Sequence, residues 1–448
     1  MISMYYGEKP RHGRPVGSLS PDVRLSDRGL RVDTMIFSMS YCTTPMSHPI
    51  LIIGAGLGGL CLAQGLKKRN IPFKLFEQDE RHDFRTQGYR LRVSSEGIYA
   101  LRDTLSPELY ALFENTCAET IMGGVRLKPD GTPLGGTGPP RPLGSDIFLE
   151  PQTVDRNTFR EVLLTGLDEH VFFGKSFDHY IVDDKNIVAF FTDGSKETGS
   201  LLVGADGVRS RVRKQYVPGL MGIDTGMRII FGKTPLSPEF LARFPKAYHH
   251  GMSLVSNPDD ESRTSLLFEP IRFPHAEKVS KPQLPDPYVY WVLVTHYSNI
   301  ASSNDTLWPL SPEKSAEISR HVTKSWHPDL QVLFEMQDEA QTSTRWMISA
   351  SPELASWEPS PYVTLLGDAI HPMPPTGAMG ANTALRDAAD LARRLEVGVN
   401  SQTLGRHVIE EYESELRDSA RTAIAWSWQG GMKGFRLKPA VECEEILL

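Results

Sequence analysis

Residues 50–77 read ILIIGAGLGGLCLAQGLKKRNIPFKLFE. Four aliphatic residues, Ile50, Leu51, Ile52 and Ile53, predict a short buried strand; residues 54–59 form a glycine loop; residues 60–69 carry helical apolar spacing; and 73–76 predict a second strand ending in Glu77. This is a βαβ unit. Gly54, Gly56 and Gly59 match GxGxxG, and Glu77 lies 23 positions after Gly54. Each glycine has its own reason: a tight turn, close backbone approach to a pyrophosphate, and close helix–strand packing. The acid is placed to accept hydrogen bonds from ribose hydroxyls. The stretch therefore predicts an ADP-containing dinucleotide; the competing reading is a tight turn followed by an exposed acid.

Two later stretches share that logic. Residues 365–395, LLGDAIHPMPPTGAMGANTALRDAADLARRL, follow a predicted strand over 363–366 with a turn at Gly367, a carboxylate at Asp368 and a helix over 383–395. A helix starting after Gly377, Ala378, Met379, Gly380 and Ala381 points free backbone N–H groups into the preceding loop, which suits an electron-rich group. Residues 200–213, SLLVGADGVRSRVR, predict a buried strand over 201–203 with Gly204 and Gly207 bracketing Asp206, either as a second strand-end carboxylate or as a hairpin turn.

Between these stretches, residues 89–93 predict a strand with Arg90 and Arg92 on one face, able to reach a cofactor or an anionic substrate, or to form a solvated edge. A helix is expected from Val154 with Asp155 as its N-cap. Arg156 in its first turn opposes the helix dipole, so an anionic neighbour is expected, either a cofactor phosphate or ribityl group or a surface acid. Residues 128–144, KPDGTPLGGTGPPRPLG, read as a surface loop, and strands are expected over 180–182 and 187–192. From 221 to about 350 the pattern changes to strand-like pieces over 228–231, 253–256, 265–268 and 288–297. In the last, Tyr288, Tyr290, Val292, Val294 and His296 share one face, and Val289, Trp291, Leu293, Thr295 and Tyr297 the other; its aromatics are expected in core packing more than in ligand contact.

With 448 residues the chain suggests two domains. Its net charge of −7 and the lack of an aromatic-interleaved basic block argue against nucleic acid as a partner. Cys42, Cys61, Cys117 and Cys443 are scattered without a CxxC pair, so no metal site or disulfide framework is expected and a cytoplasmic location fits. No apolar run is long enough to cross a bilayer. Residues 1–45 lack a secretory h-region and periodicity and are expected to be a flexible N-terminal extension, the fold starting near Met46.

The order GAGLGG, GADGVRSRVR, GDAIHPMPPTGAMGANTALRDA resembles the single-component, group A FAD-dependent monooxygenases of the aromatic-hydroxylase family, in its fungal biosynthetic form, over residues 49 to 430. The resemblance implies an α/β fold: a Rossmann-like FAD-binding domain of the GR2/aromatic-hydroxylase type over 46–220 and 352–448, with an inserted, mostly β substrate domain over 221–351. It implies that Gly54, Gly56 and Gly59 approach the FAD pyrophosphate, Glu77 binds the adenosine ribose, and Arg156 contacts FAD. Asp206 would belong to a motif shared by FAD and the reducing nucleotide, and Asp368 would hold the ribityl chain. Pro375, Gly377, Gly380, Ala381 and Asn382 would line the isoalloxazine, and Arg90 is placed with the cofactor group. Where the family often carries Gln in a GQG turn, Ala378 and Met379 stand here, so only backbone donors remain. Arg228 and Tyr248 stand where some fungal relatives orient or deprotonate a phenol; His371 is expected to be structural. The implied reaction takes NAD(P)H as co-substrate and inserts one oxygen atom from O2, through a flavin C4a-(hydro)peroxide, into a small organic substrate, aromatic or polycyclic and from secondary metabolism. No obligate protein partner is implied. A non-catalytic flavin-binding relative and a flavin-dependent halogenase are the alternatives, the latter disfavoured by the lack of a WxWxIP segment.

Overall fold

The computed structural model describes residues 48–80, 89–136, 141–142, 150–257, 261–300, 310–401 and 405–448, all within one compact unit. The extension expected over 1–45 and part of the loop expected at 128–144 lie outside the described residues. The elements that build the site are β1 (Ile50–Ile53), α1 (Leu57–Lys68), β2 (Phe73–Phe76), β3 (Arg90–Val93), β4 (Gln152–Asp155), α2 (Arg156–Leu164), β5 (Leu201–Gly204), α3 (Arg211–Tyr216), β6 (Met221–Pro235), β7 (Ser265–Ile271), β8 (Tyr288–His296), β9 (Ser343–Ala350), β10 (Val363–Leu365), α4 (Gly380–Asn400), α5 (Arg406–Phe435) and β11 (Glu444–Leu447).

A five-stranded sheet runs in the order β10, β5, β1, β2 and Val171–Phe172, with every pairing parallel. Parallel strands are covered on both faces, which explains why β1 is apolar at every position and buried throughout. Register fixes where the loops emerge. Ile53 pairs with Phe76 and Gly204, and Gly204 pairs with Leu365. The loops at Gly54, Glu77, Asp206 and Asp368 therefore leave the same edge of the sheet, the carboxyl end at which open α/β sheets bind their ligands.

Both flanking helices start three residues earlier than their apolar spacing suggests, α1 at Leu57 instead of residue 60 and α4 at Gly380 instead of 383. Small residues explain this at α1: a Cβ on Gly59 would stand 2.1 Å from the carbonyl oxygen of Gly54, so the first helical turn lies directly on the glycine turn. Glycine carries little apolar signal, and periodicity alone reads such a turn as loop.

The second sheet is large and mostly antiparallel, in the order β9, β6, β8, β7, Ser253–Ser256, Val125–Leu127 and Pro133–Gly136, with β11 also paired to β6. It therefore draws strands from both sides of residues 221–350. β6 is far longer than the piece expected over 228–231, because a register shift between Asp224 and Arg228, with Gly226 at φ +70°, bends it so that it pairs with both β9 and β11. The segment expected as a loop contains Pro133–Gly136, which folds back on Val125–Leu127 around Gly131 at φ +84°. A hairpin built from Gly and Pro escapes a reading that treats both as breakers.

Alternation along β8 separates two cores as expected. Tyr288, Tyr290, Val292 and Val294 join the core shared with the parallel sheet, and Val289, Trp291 and Leu293 join a second core with Phe240, Phe244, Trp326 and Leu333. Trp291 is fully buried and donates to Thr234 Oγ1 at 3.1 Å, so it serves packing.

Candidate cofactor site

The three glycines of the first loop do three different things. Gly54 adopts φ +106°, and a Cβ there would stand 2.5 Å from the Ala205 carbonyl oxygen, so it permits both the turn and the approach of the Asp206 loop. Gly59 is required by packing. Gly56 is neither: a Cβ on it would meet nothing within 4 Å. It opens α1, whose first N–H groups have no acceptor within the helix, so backbone and open space face each other where an anion would sit.

Glu77 closes this loop from the side. It is 7% exposed; Oε2 accepts from Ala55 N–H at 2.7 Å and Oε1 from Asp79 N–H at 3.0 Å. Arg160 donates to the Ala55 carbonyl at 2.8 Å and lies 3.7 Å from Glu77. Each carboxylate oxygen retains acceptor capacity for a ribose hydroxyl.

Asp206 and Asp368 stand at equivalent strand ends but differ in partners. Asp206 accepts from Ser210 Oγ, from Arg211 N–H at 2.8 Å and from Val212 N–H at 3.3 Å, so it organises the start of α3. Burial pushes its acid above the usual carboxylate range despite these donors. Asp368 has no hydrogen-bond partner among the described residues. Its side chain is solvent-accessible, yet enough protein surrounds it for burial to raise its acid, against the opposing pull of His371 and Arg156. Accessibility together with dense surroundings is the signature of a group lining a recess. The recess also holds the start of α4: a Cβ on Gly380 would lie 4.0 Å from Asp368 Oδ1 and 3.8 Å from Met373 Cγ.

Arg156 approaches from the first turn of α2. Asp155 is the N-cap, accepting from Asn157 N–H and Thr158 N–H. The Arg156 guanidinium has no ion pair among the described residues and lies 5.4 Å over the Tyr89 ring. Of the alternatives for its anionic neighbour, a surface ion pair is not formed, and the charge it senses is Asp368.

Pro375–Gly377 forms one turn of 3-10 helix, Ala378 adopts φ +54°, and α4 then begins. The N–H groups of Gly380, Ala381 and Asn382 have no acceptor within the helix. The Asn382 side chain is fully used inside the protein: Nδ2 donates to the carbonyls of Arg92 at 2.9 Å and Ala378 at 2.8 Å, and Oδ1 accepts from Ser94 N–H at 2.8 Å. It clasps β3 to the loop that precedes α4. Gly377 packs against α5, where a Cβ would stand 2.9 Å from Ser427 Cα, and Thr376 Oγ1 donates to the Ser427 carbonyl at 2.6 Å.

Three supporting residues were not singled out from the sequence for these contacts. Asp387 accepts from Gly367 N–H at 3.1 Å and pairs with His371 Nε2 at 2.6 Å. Burial favours the neutral His371 ring, but Asp387 outweighs it and raises the imidazole. His371 thus stands behind the Asp368 turn in the structural place expected of it. Arg213 is buried and donates from Nη1 to the carbonyls of Val208 at 3.0 Å and Ala369 at 2.9 Å, tying the Asp206 and Asp368 loops together. Ser427 supports the Thr376 turn. The helical spacing of Asp387 inside α4 was the available signal for the first; the other two depend on long-range contacts.

The remaining candidates lie elsewhere. Arg90 donates to Glu269 Oε2 from Nε at 2.6 Å and also from Nη2, and Arg92 donates to Glu269 Oε1 at 2.9 Å. Arg228 is 1% exposed, donates to Asp224 at 3.0 and 3.1 Å, and lies 4.4 Å over Trp346. Its strand partners Thr295 and Trp346 put it on the face of the second core. Tyr248 packs in that core against Phe244 and Phe268. Both thus stand on the sheet face opposite the core shared with the cofactor loops.

Loops gathered at one edge of a parallel sheet, with an anion-facing glycine turn, a free acid and an open helix start, define a dinucleotide-binding flavoprotein. The chain belongs to the FAD binding domain family, whose model matches residues 165–427; the NAD(P)-binding Rossmann-like domain model matches residues 52–114. The dual O-methyltransferase/FAD-dependent monooxygenase CTB3 of Cercospora beticola is 39% identical over 90% of this chain and 48% of its own length. The dual O-methyltransferase/FAD-dependent monooxygenase elcB of Phaeosphaeria nodorum is 41% identical over 86% of this chain and 46% of its own length. The chain thus spans about half the length of these curated relatives. The FAD-dependent monooxygenase thnD of Trichoderma harzianum is 27% identical over 89% and 97% of the two chains. A solved structure assigned as an FAD-containing monooxygenase from Photorhabdus luminescens is 30% identical, with a TM-score of 0.71 over 87% of this chain and 99% of that one. A salicylate hydroxylase substrate complex, at 18% identity and a TM-score of 0.65 over 89% and 91% of the two chains, shares the fold.

The residues fit FAD. Gly56 leaves the room a pyrophosphate needs, Glu77 offers acceptors beside it, and Asp368 and Arg156 supply an acid and a cation that form no ion pair or side-chain hydrogen bond among the described residues. No helix among the described residues is long and apolar enough to cross a membrane.

Proposed function

We propose that the chain is an FAD- and NAD(P)H-dependent monooxygenase that inserts one oxygen atom of O2 into an aromatic or polycyclic secondary metabolite. The observation that carries this reading is the open start of α4 beside the free carboxylate of Asp368. When bound and reduced, FAD supplies the electrons that activate O2, and the protein supplies placement. Asp368 would accept from ribityl hydroxyls, and Arg156 would neutralise an anionic part of the cofactor. The N–H groups of Gly380, Ala381 and Asn382, aided by the α4 dipole, would stabilise negative charge on the reduced cofactor. These donors come from the backbone, so Ala378 and Met379 in place of a Gln-bearing turn do not remove them.

Arg228 and Tyr248, expected to orient or deprotonate a phenol, stand on the sheet face away from the cofactor loops, Arg228 buried against Asp224 and Tyr248 packed against Phe244 and Phe268, so no contact with substrate is proposed for them. The whole reading is tested with purified protein reconstituted with FAD. A flavin spectrum, NAD(P)H oxidation stimulated by an aromatic polyketide or indole, and oxygen-18 from dioxygen in the product are expected. Flavin binding without oxygen incorporation across such a panel would instead support a non-catalytic flavin-binding relative.

A further inference from the structure

Arg90, Arg92 and Glu269 form a cluster whose charge does not close. The side chains are 10%, 13% and 2% exposed. Two guanidiniums face one carboxylate, and the other partners of the arginines among the described residues are neutral: Met252 Sδ at 3.4 Å from Arg90, the Tyr290 ring 5.5 Å from its guanidinium, and Thr153 Oγ1 beside Arg92. A further ionic pair, Lys233 with Asp155 at 2.6 Å, is balanced. Tyr288 donates to that same Asp155 at 2.8 Å, and burial holds both Tyr288 and Tyr290 in their protonated forms. The Tyr290 side chain, almost wholly buried, lies on the same sheet face, and its hydroxyl has no hydrogen-bond partner among the described residues. An unbalanced buried cation is costly unless an anion comes to it.

The position of the cluster says which anion. From the start of α4, Asn382 Nδ2 reaches the Arg92 carbonyl at 2.9 Å, and the Arg92 side chain reaches Glu269 on β7 at 2.9 Å. Three residues thus cross from the loop assigned to the flavin ring to the large sheet. Arg90 and Arg92 leave β3 on one face and meet Glu269 of the large sheet; from the other face Tyr89 stacks on Phe231 of the same sheet at 4.3 Å, with Arg156 over its ring and within electrostatic reach of Asp368.

We propose that Arg90 and Arg92, balanced in part by Glu269 and assisted by the Tyr290 hydroxyl, bind an anionic oxygen of the substrate, a carboxylate or an ionised phenol or enol. This rests on the monooxygenase reading, in which substrate lies between the flavin ring and the large sheet. Arginine suits the task because its planar fork can hold Glu269 and still present N–H donors to a second anion.

The test is equilibrium binding to the FAD-loaded protein, followed by perturbation of the flavin visible spectrum, with 1-hydroxy-2-naphthoate and its methyl ester as probes. The wild type should bind the anion at least about tenfold more tightly than the ester, in line with a charge-assisted hydrogen bond. Arg92→Gln should abolish that preference with flavin content unchanged, and Glu269→Gln, which adds positive charge, should preserve or increase it. A purely structural ionic clip predicts the reverse for Glu269→Gln, with both variants losing binding and thermal stability alike. No preference for the anion in the wild type overturns the proposal even if neither variant folds. Loss of FAD or NADPH affinity in Arg92→Gln, with probe binding intact, would assign the cluster to nucleotide phosphates and also overturn it. Because the measurement needs neither reductant nor turnover, failure of the monooxygenase assay leaves it readable.

Discussion

Asp206 and Asp368 invite comparison because the chain writes them almost alike: an apolar strand, a glycine, and an acid at the strand's carboxyl end. In the fold they take opposite roles. Asp206 accepts two backbone N–H groups and the Ser210 hydroxyl at the start of α3, so its lone pairs serve the protein. Asp368 accepts nothing from the described residues; its turn is held from behind by Asp387, which accepts from Gly367 N–H and pairs with His371. A neighbouring acid does for Asp368 what Asp206 does for itself, and the Asp368 carboxylate is thereby left for a ligand.

The most severe test of this contrast is Asp368→Ala. Losing a charged acceptor for ribityl hydroxyls should weaken FAD retention by up to about 100-fold, with little change in the melting temperature of the FAD-free protein. Dialysis followed by the flavin-to-protein absorbance ratio would measure it, and unchanged flavin content would end the role assigned to Asp368.

A third acid, packed against the strand that leads to Asp368, sharpens the comparison through pH. Glu413 on α5 is fully buried and accepts from Trp357 Nε1 at 2.7 Å, Thr364 Oγ1 at 2.9 Å and Tyr216 OH at 3.2 Å. Burial outweighs these donors and pushes its acid up to about 7. A carboxyl group raised on folding supports stability fully below its unfolded value near 4.5, and that support is lost as pH rises through about 7. Unfolding midpoints should therefore fall between pH 5 and 8, a change of roughly 2–3 kcal/mol. Glu413→Gln should flatten that dependence; an unflattened profile would place its origin elsewhere.

Asp206→Ala should show the reverse of Asp368→Ala. It leaves the N–H groups of Arg211 and Val212 without their acceptor and costs about 1–2 kcal/mol of stability, with a smaller change in FAD affinity. Chemical denaturation with and without FAD separates the two effects. If FAD affinity falls as far as in Asp368→Ala, the two acids are not divided between fold and ligand.

Much of this was legible because local rules and tertiary demands coincide. β1, the glycine spacing and Glu77 announce a βαβ unit, Asp155 announces an N-cap, and alternation along β8 separates the two cores residue by residue. The hidden features depend on partners distant in the chain. Nothing around Asp206 says that its carboxylate turns toward α3, and nothing around Arg90 says that Glu269, far along the chain, will meet it. The bend in β6 and the hairpin containing Pro133–Gly136 were obscured because glycine marks breaks in the chain as readily as strained positions inside a sheet.

The same division between fold and ligand runs through the first loop, and Gly56 tests it at the smallest scale. Its φ of −74° and ψ of 179° are open to alanine, and a Cβ there would meet no protein atom within 4 Å. Gly56→Ala should therefore cost the apoprotein no more than about 1 kcal/mol, the penalty of alanine at a helix N-cap without a steric clash. Any steric cost falls only on a group brought against the start of α1. FAD affinity should then drop several-fold while the unfolding curve of the FAD-free protein shifts by no more than that penalty. A larger shift would mean that Gly56, like Gly59, serves packing, and would remove the pyrophosphate from this turn.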